Sequence, residues 1–498
     1  MLRKTRIILA AIFYIAITAL FLDFTGTIHA WFGWMAKVQF LPALLALNVG
    51  VVVVLLLLTL LLGRIYCSVI CPLGVMQDIF AWFGKKAKKN RYSYSGEKRW
   101  LRLGVLALFV VLMVAGLGVL ANLVAPYSAY GRIAGNLLAP IWQWGNNGLA
   151  YLAERAESYA FYETEIWIKS GVTLGVAVAT LLVVGVLAWR GGRTWCNTIC
   201  PVGTVLGYVA KYSWLKPVID TEKCNGCGLC ARNCKAACIN NKEHKIDYSR
   251  CVACMDCLGA CKKGAISYAH PTKAKAAPAT GGEEAVDTSR RTFLTTTAVV
   301  AATATLKAQE MKVDGGLAAI EDKMVPDRKA HLVPPGALSA KNLADHCTAC
   351  QLCVAACPNG VLTPSTKLTR LMQPEMTYER GYCRPECTKC SEVCPTGAIR
   401  PITREDKSST QIGHAVWVEK NCINTQGKDS CDNCMRHCPV GAIQMVPANG
   451  GGGGRRGGRR VPAVNVERCI GCGACEHLCP ARPFSAIYVE GHERHKEV

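Results

Sequence analysis

The hydrophobic positions of this chain gather into four long runs, at residues 7–22, 40–62, 103–124 and 172–189. Each approaches the roughly 20 apolar residues that a helix needs to cross a bilayer. The pattern predicts a four-helix transmembrane domain over residues 1–215. Beyond it the apolar runs give way to two cysteine-dense segments, within 224–261 and 347–479. Between them HPTKAKAAPATGGEEAVDTS is too rich in Ala, Pro, Gly and Thr to pack a core, so a boundary falls there.

The reading is therefore a multi-domain membrane protein. Residues 1–215 form the membrane domain, 216–270 a bacterial ferredoxin-like α+β domain, 271–310 a linker, and 311–498 a second ferredoxin-like domain. A length of 498 residues agrees with about three domains.

Charge orients the helices, because short loops rich in Lys and Arg stay in the cytoplasm. Arg3, Lys4 and Arg6 precede the first run; Arg64, Lys85, Lys86, Lys88, Lys89, Arg91, Lys98, Arg99 and Arg102 follow the second. The loop at 126–167 instead sets Arg132 and Arg155 against Glu154, Glu157, Glu163 and Glu165. These inside loops account for much of the net charge of +22, and no basic patch is interleaved with aromatic residues, so nucleic acid is not an expected partner.

Cysteine spacing brings in the chemistry. Of the 29 cysteines, two runs read C-x-x-C-x-x-C-x-x-x-C: Cys224, Cys227, Cys230 and Cys234, then Cys251, Cys254, Cys257 and Cys261. Three thiolates on one tight loop hold three irons of a cube, and the fourth cysteine reaches the neighbouring cube. That geometry assigns Cys224, Cys227, Cys230 and Cys261 to one 4Fe-4S cluster, and Cys251, Cys254, Cys257 and Cys234 to a second.

Four further sets each close with Cys-Pro. They are Cys347, Cys350, Cys353 and Cys357; Cys383, Cys387, Cys390 and Cys394; Cys422, Cys431, Cys434 and Cys438; and Cys469, Cys472, Cys475 and Cys479. The expected count is six 4Fe-4S clusters. Crossed ligation nests the first of these sets with the fourth and the second with the third, with sequential pairing left open. Zinc ribbons use paired C-x-x-C groups, not runs of three, and disulfide scaffolds do not repeat one spacing six times.

Cys238 stands alone, one step beyond Cys234, either as a substitute ligand or as a core thiol. Cys67 with Cys71, and Cys196 with Cys200, fall in two copies of C-x-x-I-C-P-x-G at the ends of apolar runs. If helical, each pair shares a face, and the four thiols converge on one redox-active thiol or metal site. The rival reading is structural: the string ends a helix and turns the chain.

Other cofactors lack a signature. None of the 10 histidines lies in the four runs, C-x-x-C-H is absent, and there is no glycine-rich dinucleotide fingerprint or P-loop. No haem, flavin or NAD is expected. Ser289, Arg290, Arg291, Phe293 and Leu294 form S-R-R-x-F-L before a weakly apolar stretch, as in a twin-arginine export signal for an already folded domain. The stretch at 450–460 is low-complexity Gly and Arg, a surface insertion. Tyr127, Tyr130 and Arg132 lie at the outer interface, where hydroxyls and a cation could meet a quinone head group or simply anchor the helices.

These motifs resemble a known pair of proteins. The first 270 or so residues are similar to the NapH/MauN type of membrane ferredoxin, with four spanning helices, two C-x-x-x-C-P motifs and two 4Fe-4S sites. Residues 287–498 resemble NapG, its four-cluster partner with a twin-arginine signal. The chain reads as a fusion of the two. Lysines after Cys234 and Cys261, Cys238 and the Gly/Arg insertion depart from that pattern.

The resemblance implies quinol oxidation at the membrane and delivery of electrons to a periplasmic reductase or cytochrome. It places the protein in the bacterial cytoplasmic membrane, with the C-terminal cluster domain outside, and makes it an electron-transfer component and not a stand-alone enzyme. Two alternatives stand beside it. One is a maturation or reactivation factor that supplies electrons to a metalloenzyme. The other is ferredoxin-to-quinone transfer with every cluster on the cytoplasmic side.

Overall fold

The structure, a computed structural model, describes residues 2–87, 92–158, 160–270, 322–426, 430–448 and 460–497. Most of the linker, the twin-arginine segment and nearly all of the Gly/Arg stretch lie outside the described residues.

Of the four expected spans, two are continuous and two are interrupted. Helix α1 (Leu2–Leu22) is unbroken. The second run divides into α2 (Phe40–Leu45) and α3 (Val49–Leu62). Leu47 takes a left-handed φ of 53°, and Asn48 restarts the helix by accepting a bond from the Val51 amide. Helix α4 (Pro72–Lys86) follows a wide π-helical turn at Tyr66–Ile70.

The third run divides into α5 (Arg99–Val114) and α6 (Gly118–Val124) around Gly116, whose φ of 73° stops the first helix. Helix α7 (Pro126–Ile133) lies beyond it, and α8 (Gly171–Gly191) is again unbroken, capped by the Ser170 hydroxyl on the Thr173 amide. Helices α9 (Thr194–Thr198) and α10 (Pro201–Ala210) complete the domain. Among the described residues α1 and α8 alone are long and apolar enough to cross a membrane. Two of the four expected spans are thus broken, since apolar composition does not reveal a break that one left-handed residue can make.

The first cluster domain is a small α+β unit. Strand β1 (Lys216–Ile219) pairs antiparallel with β4 (Ile266–Ala269), and β2 (Ile239–Asn240) with β3 (Lys245–Ile246). Helices α11 (Leu229–Arg232) and α12 (Asp256–Ala260) each carry the third cysteine of a loop.

The second cluster region repeats that scheme. Helix α13 (Leu352–Ala356), strands β5 (Leu362–Pro364) and β6 (Pro374–Met376), and helix α14 (Lys389–Val393) form one half. The other half pairs β7 (Thr410–Trp417) with β10 (Ile487–Glu497) and β8 (Ile443–Pro447) with β9 (Arg460–Val464), around α15 (Ala474–His477).

The two cluster regions dock on opposite ends of the helices. At the start of α1, Arg3 Nε meets Asp256 Oδ1 at 2.9 Å. The last carbonyls of α3 accept from Trp214 and Leu215 amides and from the Tyr268 hydroxyl. Beyond the far end of α1, Lys389 Nζ donates to the Thr25 carbonyl at 3.1 Å. There too Asn122 Nδ2 donates to the Cys347 carbonyl at 2.9 Å, and Asn136 Nδ2 to Gln351 Oε1 at 2.9 Å. The 21 residues of α1 span about 30 Å at 1.5 Å per residue.

Candidate metal centres

The tight cysteine loops share one backbone device. In four of them the residues on either side of the second cysteine are left-handed: Gly226 and Gly228, Ala253 and Met255, Ala349 and Gln351, Gly471 and Gly473. That twist turns successive amides and thiols toward a common centre, as in an anion-binding nest. Two of the loops keep it without glycine, at a steric cost that a bound anionic centre would offset.

Backbone amides also point at sulfur. Ala265 N reaches Cys261 Sγ at 3.3 Å, Ala349 N reaches Cys347 Sγ at 3.4 Å, Ala442 N reaches Cys438 Sγ at 3.2 Å and Ala486 N reaches Cys479 Sγ at 3.3 Å. Such donors favour the thiolate and help set the potential of a cluster. Among the described residues no three His, Cys, Asp or Glu side chains converge tightly enough for a single ion. A cube presents separate irons, so its thiolates must stand apart, and the loops fit that larger group.

In the first cluster domain, Cys224, Cys227, Cys230 and Cys261 line one cavity of about 180 Å³. Cys234 lies beside Cys251, Cys254 and Cys257. Cys238 sits between Cys234 and Cys251, with its sulfur 3.5 Å from that of Cys234. Its hydrogen bond draws Cys234 below the usual thiol range, while Cys238 itself is pushed well up by its bonds to Cys234 and Cys251. Cys238 thus stands within hydrogen-bond reach of two ligand positions.

The distal loops pair differently from the nested expectation. Cys347, Cys350 and Cys353 lie beside Cys394. Cys383, Cys387 and Cys390 gather with Cys357. Cys422, Cys431, Cys434 and Cys479 line a common cavity, and Cys469, Cys472 and Cys475 meet Cys438. First pairs with second and third with fourth, since each half closes its own sheet and helices locally. The halves touch where the Cys383 amide donates to the Cys472 carbonyl at 2.9 Å, with the Tyr378 hydroxyl bonded to Gly471 O at 2.7 Å beside them.

The two membrane-edge motifs do converge. Cys71 lies beside Cys196 and Cys67, and Cys200 beside Cys196, Cys71 and Cys67, with all four buried. They do not share one continuous helix as expected. Cys67 lies in the π-helical turn and Cys196 in α9, whereas Cys71 and Cys200 are extended residues that start α4 and α10 ahead of Pro72 and Pro201. The proline fits because the first helical position has no amide to satisfy.

Two arginines lock the copies together, and they were missed in the sequence although they stand at the same place in each. Arg64 Nη2 donates to the Cys196 carbonyl at 3.2 Å, and Arg193 Nη1 to the Cys67 carbonyl at 2.6 Å. Each passes over the glycine of the other copy's C-P-x-G. A Cβ on Gly74 would lie 2.2 Å from Cys67 O and 2.7 Å from Arg193 Nη1; on Gly203, 2.3 Å from Cys196 O and 2.9 Å from Arg64 Nη2. Arg193 also holds Asp78, which meets Arg6 and Lys235 as well.

Tyr127, Tyr130 and Arg132 line neither of the two large cavities along α1. All three are buried in α7. Arg132 donates to Asn122 O and Leu123 O, Tyr130 contacts the Thr18 hydroxyl, and Tyr127 lies beside Cys350 and Cys394. The cavities instead meet at Tyr14 and Ile15. The inner one, about 640 Å³, reaches Asp78, Trp82, Tyr92 and Lys235. The outer, about 550 Å³, reaches Thr18, Asp23, Phe24, Trp142 and Tyr162. Asp23 Oδ2 holds His29 Nδ1 at 3.0 Å. Asp23 and Asp78 are the sole carboxylates in the first 87 residues, a signal the sequence did carry.

Two family models match. One, a 4Fe-4S binding domain, covers residues 44–91 and 172–221, the segments holding the four membrane-edge cysteines. The other, a 4Fe-4S dicluster domain, covers 346–398 and 429–482, one match for each distal pair of loops. The chain is 34% identical to the ferredoxin-type protein NapG of Escherichia coli over 34% of its own length and 77% of that protein. It is 34% identical to the methylamine utilization ferredoxin-type protein MauM of Methylobacillus flagellatus, over 30% of this chain and 63% of that one, so it spans a little under two thirds of that relative. It is 26% identical to the ferredoxin-type protein NapH of Haemophilus influenzae over 46% of this chain and 69% of the other. No solved structure matches the chain.

Proposed function

We propose that this chain, which belongs to the NapG family of ferredoxin-type proteins and joins to it a NapH-like segment, relays single electrons between membrane quinone and a partner redox protein. The observation that carries this reading is the placement of the cluster regions, on Arg3 at one end of α1 and on Thr25 beyond the other. With α1 in a bilayer, the two cluster regions face opposite sides. That favours the outward relay over the reading that keeps every cluster cytoplasmic.

Six 4Fe-4S clusters, held by the sets named above, supply one-electron chemistry. The chain's own residues set the order. The Cys347 loop rests on α6 and α7, the Cys383 loop follows, and the Cys383–Cys472 contact passes to the second half. The Cys422 loop is farthest along this series and is the exit we assign toward a periplasmic reductase or cytochrome.

For quinone the outer cavity replaces Tyr127, Tyr130 and Arg132. Its walls are apolar, and Asp23, whose oxygens already accept from the Thr25, Gly26 and His29 amides, holds the His29 ring through which a quinol proton can leave, while Lys389 connects this turn to the distal clusters. The test is anaerobic mixing of the full chain in detergent with a reduced short-chain naphthoquinol, following the cluster absorbance. Reduction slowed at least tenfold by Asp23→Asn, with Tyr127→Phe unaffected, supports the site. Equal rates in both variants would overturn it. Cluster reduction by dithionite but never by quinol would remove the quinone reading altogether.

A further inference from the structure

We propose that Lys235 is a positioning residue for electron transfer: it fixes the cluster of Cys234, Cys251, Cys254 and Cys257 against the helical domain, and its ammonium group raises the potential of that cluster. The proposal rests on the loops of the first cluster domain holding clusters. It stands whichever way electrons flow and whether or not quinone binds.

The sequence marks the residue. The four distal cysteine sets end in Cys-Pro, at Pro358, Pro395, Pro439 and Pro480, whereas Cys234 and Cys261 are followed by Lys235 and Lys262. The two lysines differ in their surroundings. Lys262 is exposed, but Lys235 is largely buried and meets two carboxylates.

Its Nζ lies 3.2 Å from Asp78 Oδ1 and 3.0 Å from Asp256 Oδ2. Asp78 belongs to α4, and Asp256 opens α12 between Cys254 and Cys257. One side chain therefore ties the helical domain to the cluster loop. The backbone adds to the tie, because the Lys235 carbonyl accepts from the Arg193 amide at 2.8 Å, and a Cβ on Gly192 would lie 2.5 Å from that same oxygen.

Charge decides what the tie does beyond holding. Asp78 also meets Arg6 at 2.9 Å and Arg193 at 2.8 Å, and Asp256 meets Arg3 at 2.9 Å. Arg3 is exposed, so water screens it. Arg6, Arg193 and Lys235 remain as shielded cations on two carboxylates, and the network carries an excess of positive charge. Lys235 and Asp256 both lie beside Cys254. Reduction adds a negative charge, and a cation in poorly screened surroundings favours that form. Lys235 thus biases an added electron toward the cluster of the Cys251 loop, the loop that Arg64 joins to the helical domain through Ser249 O. One electron arrives and one leaves; no bond is made or broken.

The test is a mediated dithionite titration of the full chain in detergent, followed by EPR, with the component lost in Cys254→Ala marking the cluster. At one fixed potential Lys235→Gln is expected to lower the reduced-to-oxidised ratio of that component about tenfold, a downward shift of about 59 mV for a one-electron couple. Asp256→Asn should raise the ratio by a similar factor, and Lys235→Arg, which keeps the charge, should restore it. Lys262→Gln is the control and should leave it unchanged. Lys235→Gln and Asp256→Asn break the same ion pair, so a purely structural role would move both in one direction or neither. Shifts of like sign, or no shift in either, overturn the proposal. Should Lys235→Gln fail to load the cluster, Asp256→Asn decides: a fall or no change overturns it. Absence of the Cys254-dependent component from the unaltered chain would remove the cluster reading of this loop, and this proposal with it.

Discussion

Arg193 donates Nη1 to the carbonyl of Cys67 at 2.6 Å, across from its own copy of the cysteine motif, while its Nε holds Asp78 at 2.8 Å. The bond joins the segment after the second apolar run to the segment after the fourth. Its strength follows from burial: a charged donor shielded from water has no alternative partner.

Replacing Arg193 with Met therefore leaves Asp78 short of one cation and Cys67 O without its donor. A loss of about 3–5 kcal/mol is expected, the usual consequence of removing one side of a buried ion pair. A double-mutant cycle with Asp78→Asn, read by thermal inactivation in detergent, should show coupling; additive effects would mean that the pair is idle.

Gly203→Ala forces a methyl group to 2.3 Å from Cys196 O. Overpacking of this kind costs about 1–3 kcal/mol, and the thiol site should distort with it. Gly104→Ala, whose Cβ meets nothing within 4 Å, is the control and should leave stability level or slightly raised. Equal melting behaviour of the two variants would show that the arginine cross-over is loose.

Ligand pairing separates cleanly by spectroscopy. Cys479→Ala is expected to damage the cluster of Cys422, Cys431 and Cys434, and Cys394→Ala that of Cys347, Cys350 and Cys353. If Cys479→Ala instead altered the cluster of the Cys347 loop, the nested arrangement would be restored.

Acid should loosen the distal domain. Burial, with Arg370 nearby, holds His331 down to about 4, and burial beside His492 does the same to His495. Both are depressed from 6.5, so the unfolded chain binds protons that the folded one refuses. Their contribution is full above about pH 6.5 and is lost as pH falls through about 4. His331→Gln, which cannot take the proton, should show a shallower fall of the melting temperature over that window. A slope identical to that of the unaltered chain would mean that His331 does not sense the pH.

Cysteine spacing alone pointed to the loops proposed to hold clusters, because the fit of C-x-x-C-x-x-C around a cube is local, fixed within seven residues of chain. The apolar runs likewise marked out the helical region, two of whose helices are long and apolar enough to cross a membrane among the described residues. Neither could show that Leu47 and Gly116 break two of the runs, since a left-handed residue leaves no mark on hydropathy. Which loop completes which cluster, the meeting of Cys67, Cys71, Cys196 and Cys200, and the exchange of Arg64 and Arg193 were decided by tertiary structure alone. The distal pairings join residues some tens of positions apart and the cysteine and arginine cross-over residues more than a hundred apart, and all depend on how elements pack, which no local pattern encodes. The same holds for Tyr127, Tyr130 and Arg132: interfacial by sequence, they are buried beneath the Cys350 loop because a whole domain docks there.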